Sequence, residues 1–209
     1  MKDEYYFKKI GTLPTPVIDK IKEKILKKID KSKNYQWVLF DQLMNEEFLE
    51  IFSCNDLKIQ FKKTDDGSLI PIQKAFISSP NSGYGIHKDG IHCKSALNIA
   101  LSSNYNDWIR WYDDAYILNL ISNNKAQVNI LNTINVKSRD VNIIDYENVP
   151  YLKELRVVTG DVYVLTVDKY HSFKCNGPNI RIILQTKFED YPELETLINK
   201  ISMSNFRIV

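Results

Sequence analysis

Apolar residues near the start of the chain recur at Ile18, Ile21, Ile25 and Ile29, which lie on one stripe of a helix. Thr15-Pro16 supplies the start signal, with Thr15 as N-cap and Pro16 in the first turn. Lys20, Lys22, Lys24, Lys27 and Lys28 fall on the remaining faces, mixed with Asp19, Glu23 and Asp30. That mixture describes a solvated helix face rather than a basic docking patch. Tyr5-Tyr6-Phe7 predicts a short strand before this helix, and Gly11-Thr12-Leu13-Pro14 a turn. A strand follows over 34–40, a second helix over about 45–52, and a short strand over 58–61 that leads into the Asp65-Asp66-Gly67-Ser68 turn.

From Leu69 onward the period shortens to two. Runs of β type fall at 74–78, 84–88, 95–102, 108–112, 128–136, 141–144, 155–158, 162–167, 172–175 and 180–188, with turn residues between them. Such spacing predicts a sandwich or barrel. The segment 115–121 fits helix and strand equally well, and 192–201 reads as a closing helix. Within 95–102, Leu97, Ile99 and Leu101 point one way and Ala96, Asn98 and Ala100 the other. The bulky face can pack beneath helices, while the small one leaves room for a ligand. The expected organisation is one domain over 1–209, mainly β with N-terminal helices (α+β). Its parts are a helical segment at about 1–56, a β core at about 57–190 and a C-terminal helix at about 191–203.

Composition narrows the classes. The chain has 209 residues, enough for a real core without disulfides or structural metal. Its 28 basic and 26 acidic residues nearly cancel, which points to neither a nucleic-acid nor a membrane partner. Three widely spaced cysteines, Cys54, Cys93 and Cys175, imply reduced thiols and a cytoplasmic setting. The charged Met1–Tyr6 start has no signal-peptide core, and no window reaches the length of a membrane span.

The candidate chemistry gathers in Gly83-Tyr84-Gly85-Ile86-His87-Lys88-Asp89-Gly90. His87 and Asp89, two apart in an extended segment, project to the same side. His171 emerges at the end of the apolar run that follows Gly160-Asp161, and Arg181 comes ten residues later at the head of another. Two imidazoles and one carboxylate form the face that holds non-haem Fe(II) and leaves positions open. Taken alone, His87-x-Asp89 also fits a surface strand with a solvated acid, and His171 a structural histidine. Arg181, heading an apolar strand, must reach water or an anion, and its planar fork suits a carboxylate.

In order and spacing, these motifs resemble the Fe(II)- and 2-oxoglutarate-dependent oxygenases. The stretch Ser95–Ser102 with Trp108 and Trp111-Tyr112 looks like the prolyl and aspartyl/asparaginyl hydroxylase-like branch. The resemblance covers about 74–188. It implies a double-stranded β-helix (a cupin-like jelly roll), with His87, Asp89 and His171 as metal ligands and Arg181 as the anchor of the 2-oxoglutarate C5 carboxylate. It further implies oxidative decarboxylation to succinate and CO2 coupled to hydroxylation of a protein side chain or small metabolite, using dioxygen.

The chain departs from the family pattern in three places. Ala100 stands where many relatives have proline, which affects only local strand geometry. Ile183 stands where some branches carry a serine two residues after the arginine, so another hydroxyl must assist Arg181. Gln185-Thr186-Lys187 lacks the second arginine of the nucleic-acid-demethylating branch. Asn98 and Tyr163 are the candidates for further co-substrate contacts. His92 is read as a residue of the loop after the strand, Asp161 as turn chemistry, and one or two of Tyr84, Trp108, Arg110, Trp111 and Tyr112 as lining the substrate mouth. Two rivals remain at this level: a metal-dependent cupin-like enzyme that does not use 2-oxoglutarate, and a non-catalytic jelly-roll module in which His87 and His171 never meet.

Overall fold

The computed structural model describes residues 6–39, 61–63, 69–71, 73–89, 94–123, 125, 127–133, 136–142, 146–186 and 192–203. In chain order these form β1 (Phe7–Thr12), α1 (Thr15–Leu26), β2 (Tyr35–Leu39), β3 (Phe61–Lys63), β4 (Leu69–Pro71), β5 (Gln73–Ser78) and β6 (Gly83–Lys88). There follow β7 (Ser95–Ser102), β8 (Trp108–Trp111), α2 (Asp114–Ser122), β9 (Gln127–Thr133), β10 (Val136–Asn142) and β11 (Lys153–Arg156). The series ends with β12 (Asp161–Thr166), β13 (His171–Lys174), β14 (Arg181–Thr186) and α3 (Leu194–Met203).

Two six-stranded antiparallel sheets carry the fold, in the orders β1-β12-β7-β14-β5-β2 and β11-β8-β13-β6-β10-β9. β3 and β4 form a separate pair. From β5 to β8, and again from β12 to β14, the chain crosses from one sheet to the other at each strand. The architecture is a jelly roll.

Alternation on β7 decides how the layers pack. Leu97, Ile99 and Leu101 join Ile18, Ile21 and Ile25 of α1 and Leu197 and Ile201 of α3 in one buried cluster. Ala96 and Ala100 face the opposite way, into the space between the sheets, with Trp111, Tyr163, Leu165, Phe173 and Ile183. A third cluster, Ile86, Tyr112, Ile117, Val149 and Tyr170, lies against α2. Helix α2 resolves the ambiguous segment. Ile117, Leu120 and Ile121 recur at helical spacing, and Asp113 caps the helix by accepting from the Tyr116 N–H at 2.7 Å.

Several expectations need correction. The N-cap of α1 is Pro14, not Thr15, and no side chain caps it; the Pro14 carbonyl instead accepts from the Val17 and Ile18 N–H groups. The predicted turn at 11–14 is strand as far as Thr12, because β1 continues pairing with β12 through an irregularity between Lys9 and Gly11. The N-terminal segment is therefore not simply helical, since β1 and β2 supply both outer strands of the first sheet. The single run predicted at 128–136 belongs to two strands, β9 and β10, paired from Val136↔Thr133 to Asn142↔Gln127. The helix expected at 45–52 lies outside the described residues, as does His92.

The turn before β12 is fastened by Gly160. Its φ of +93° suits glycine, its N–H donates to the Ala100 carbonyl at 2.7 Å, and its carbonyl accepts from the Leu13 N–H at 2.8 Å. A Cβ added there would stand 3.2 Å from Ile18 Cδ1. Gly160→Ala should therefore destabilise the fold by about 1–2 kcal/mol. A lowered urea midpoint would show it, and an unchanged midpoint would mean that the turn relaxes.

Candidate metal centre

β6 and β13 are neighbours in the second sheet, and their register sets His171 directly opposite His87. The two rings lie 4.2 Å apart between centroids. Asp89 follows the last residue of β6, and its N–H donates to the Val167 carbonyl at 3.0 Å, which fixes the chain where strand pairing ends. Its Oδ1 stands 3.7 Å from His87 Nε2. One ligand atom from each of His87, Asp89 and His171 can be chosen so that all lie within 4.8 Å of one another. Ligands on one face of an ion at about 2.1 Å stand about 3 Å apart, so small side-chain rotations close the set.

Backbone carbonyls orient both rings. His87 Nδ1 lies 2.9 Å from the Gly85 carbonyl and His171 Nδ1 2.8 Å from the Lys169 carbonyl, each two residues back along the chain. A carbonyl oxygen only accepts, so Nδ1 carries the proton and Nε2 the lone pair in both histidines. Neutral imidazoles fixed in this tautomer are what a divalent ion needs. Both histidines are buried and Asp89 is half-buried.

Arg181 lies deeper between the sheets. It is 2% exposed, its Nε has no hydrogen-bond partner, and its guanidinium sits 4.5 Å above the Phe173 ring. Burial pulls its pKa down to about 10, against an opposing pull from Asp107, so the group stays charged at neutral pH. Phe173 stacks on Tyr84 at 6.0 Å, and Tyr84 meets the His87 ring edge-on at 4.7 Å. Two aromatic rings thus bridge from the cation to the histidine pair. Among the described residues no carboxylate forms an ion pair with Arg181, so its burial is costly unless an anion joins it, and the His87–Asp89–His171 cluster sits nearby on the same interior.

Three comparisons bear on this arrangement. No protein-family model matches the chain, and no curated protein matches it. Solved structures do. HygX from Streptomyces hygroscopicus with nickel and 2-oxoglutarate bound is 10% identical with a TM-score of 0.54, covering 89% of this chain and 83% of that one. HygX with iron bound is 9% identical with a TM-score of 0.55, covering 89% and 82%. The chain has a 2-oxoglutarate-oxygenase-like fold. A viral collagen prolyl hydroxylase from Paramecium Bursaria Chlorella virus-1 is 15% identical, with a TM-score of 0.48 over 89% of this chain and 96% of that one.

Within this oxygenase-like fold the other sequence candidates separate. Asn98 is buried on the inner face with Oδ1 unpartnered, and its register partner Gln185 carries an equally unpartnered Oε1. Tyr163, expected to present a hydroxyl to a co-substrate, instead donates it to Asp161 Oδ2 at 2.7 Å. Asp161 is correspondingly not turn chemistry. It opens β12 as a buried carboxylate, paired with Lys9 Nζ at 2.6 Å and accepting from Thr12 Oγ1. That carboxylate and burial both push the Tyr163 hydroxyl pKa upward, burial more strongly.

Of the aromatics, Trp108, Trp111 and Tyr112 are core residues, with Trp111 Nε1 donating to the Thr166 carbonyl. Arg110 is held between the Trp108 and Tyr151 rings and donates to Glu154 at 2.7 Å. Of the five, Tyr84 has a ring contact with His87. Sequence reasoning overlooked Phe173 and Gln185, whose sole signal was a position two residues along a strand from His171 and from Ile183.

Proposed function

We propose that the chain is an Fe(II)- and 2-oxoglutarate-dependent dioxygenase that hydroxylates a protein side chain or a small metabolite. The observation that carries this reading is the convergence of His87, Asp89 and His171 on one interior with a buried Arg181 whose Nε is unpartnered. The metal and 2-oxoglutarate in the HygX structures support it. Such a centre supplies oxidative decarboxylation of 2-oxoglutarate by O2, giving succinate and CO2 while the second oxygen atom enters a substrate C–H bond.

The residues divide the remaining work. His87 and His171 offer Nε2 lone pairs, and Asp89 adds a carboxylate that offsets part of the metal charge. Arg181 presents its guanidinium to the distal carboxylate of the co-substrate and thereby sets how deep that molecule sits. Asn98 borders the small-residue face of β7, and turning its amide over changes an acceptor into a donor toward a bound oxygen. Tyr84 and Phe173 keep water from the space between the cation and the metal.

Anaerobic titration tests the reading. Fe(II) and 2-oxoglutarate together should give a visible charge-transfer band that neither gives alone. Iron binding without any response to 2-oxoglutarate would favour a cupin-like metalloenzyme that uses Arg181 otherwise. The module in which the two histidines stay apart does not agree with a 4.2 Å ring separation.

A further inference from the structure

We infer that Ser78 completes the carboxylate site around Arg181, its Oγ donating to the same distal carboxylate that the guanidinium holds. The inference rests on the proposed use of 2-oxoglutarate and names the hydroxyl that Ile183 leaves missing along β14. In the pairing of β14 with β5, Arg181 stands directly opposite Ser78. Directly opposed residues share a face, with Cβ atoms about 4.5–5.5 Å apart. Ala75 and Ile77 belong to the cluster under the helices, so Ser78 faces inward with Arg181. Ser78 is 0% exposed, and its Oγ has no hydrogen-bond partner.

Two adjacent sealed donors, Ser78 Oγ–H and Arg181 Nε–H, therefore lack acceptors. Leaving each unmet costs about 1–3 kcal/mol. One occupant with two acceptor oxygens relieves both, and a carboxylate is the compact group of that kind.

Four other hydroxyls, those of Ser102, Tyr112, Tyr163 and Ser172, are committed elsewhere. Ser102 Oγ donates to the Ile180 carbonyl at 2.8 Å, and Tyr163 donates to Asp161. Tyr112 and Ser172 share a hydrogen bond with each other at 2.6 Å. Ile183, two residues after Arg181, lies in the apolar cluster between the sheets. The same inner face carries a second unmet polar row, Asn98 opposite Gln185, four residues beyond Arg181 along β14. The interior thus presents unmet polar atoms at two levels with Ile183 and Ala100 between them, which suits a short chain that is polar at both ends.

The test is anaerobic titration of the Fe(II)-loaded full chain with 2-oxoglutarate and, separately, with 2-oxopentanoate, which has the same carbon count and no distal carboxylate. Ser78→Ala removes only the oxygen. It should raise the 2-oxoglutarate midpoint about tenfold or more. The Fe(II) midpoint and the 2-oxopentanoate midpoint should stay where they are. An equal shift for both keto acids would make Ser78 a packing residue and overturn the inference. No shift in Ser78→Ala, with a large one in Arg181→Met, would also overturn it while leaving the proposed function standing. If the unmodified chain shows no response to 2-oxoglutarate, the function fails and the inference fails with it.

Discussion

His171→Ala should lose Fe(II) affinity by more than about 100-fold, the upper range for mutating a mere supporting partner of a metal ligand. Succinate release should fall to background with it. The imidazole is one of the three proposed donors, and its Nδ1 lies against the Lys169 carbonyl, so no other described side chain is positioned to replace its Nε2. The fold itself should survive, because β13 keeps its backbone pairing with both β6 and β8. Thermal melting separates the two effects. Metal at about 100 times its dissociation constant stabilises a native state by about 2.7 kcal/mol, and this increment should vanish in the variant while the metal-free melting point barely moves. A variant that keeps the increment would remove His171 from the ligand set.

Arg181→Met should split stability from affinity in opposite directions. Truncating one partner of a buried charge pair costs about 2–5 kcal/mol, which corresponds to about 30-fold to several-thousand-fold weaker 2-oxoglutarate binding. The ligand-free protein, by contrast, should melt at the same temperature or higher. Its buried guanidinium has burial as the largest influence on its pKa, and an apolar side chain of similar length removes that penalty. Fe(II) binding should be unaffected. Reduced stability together with unchanged 2-oxoglutarate affinity would assign Arg181 to structure.

How much of this was legible beforehand depends on the range of the interaction involved. The faces of β7 were readable because alternation is local: Leu97, Ile99 and Leu101 had to lie opposite Ala96, Asn98 and Ala100 whatever else the chain did. His87 and Asp89 were readable as a pair for the same reason. That His171 meets them was expected only from a resemblance, because the register of β6 against β13 is set by both sheets together.

Ser78 was invisible for a related reason. Its meaning comes from facing Arg181 across a strand pair, and nothing within five residues of it signals that. Asp161 misled because Gly-Asp is a strong turn signal, yet Lys9 and Thr12 of β1 draw the carboxylate into the sheet. Residues 133–136, Thr-Ile-Asn-Val, contain neither glycine nor proline, so the boundary between β9 and β10 carried no punctuation.

The outer strand β1 has a consequence for how the molecule is made. Phe7 pairs with Leu165 and Thr12 with Asp161, so this strand must wait for a partner about 150 residues behind it. At about 5–20 residues per second, that interval is roughly 8–30 s. Through it, the nascent chain carries an unmatched strand and, once Asp89 is made, two of the three proposed metal ligands, and any factor that shields exposed backbone during translation has its longest task here.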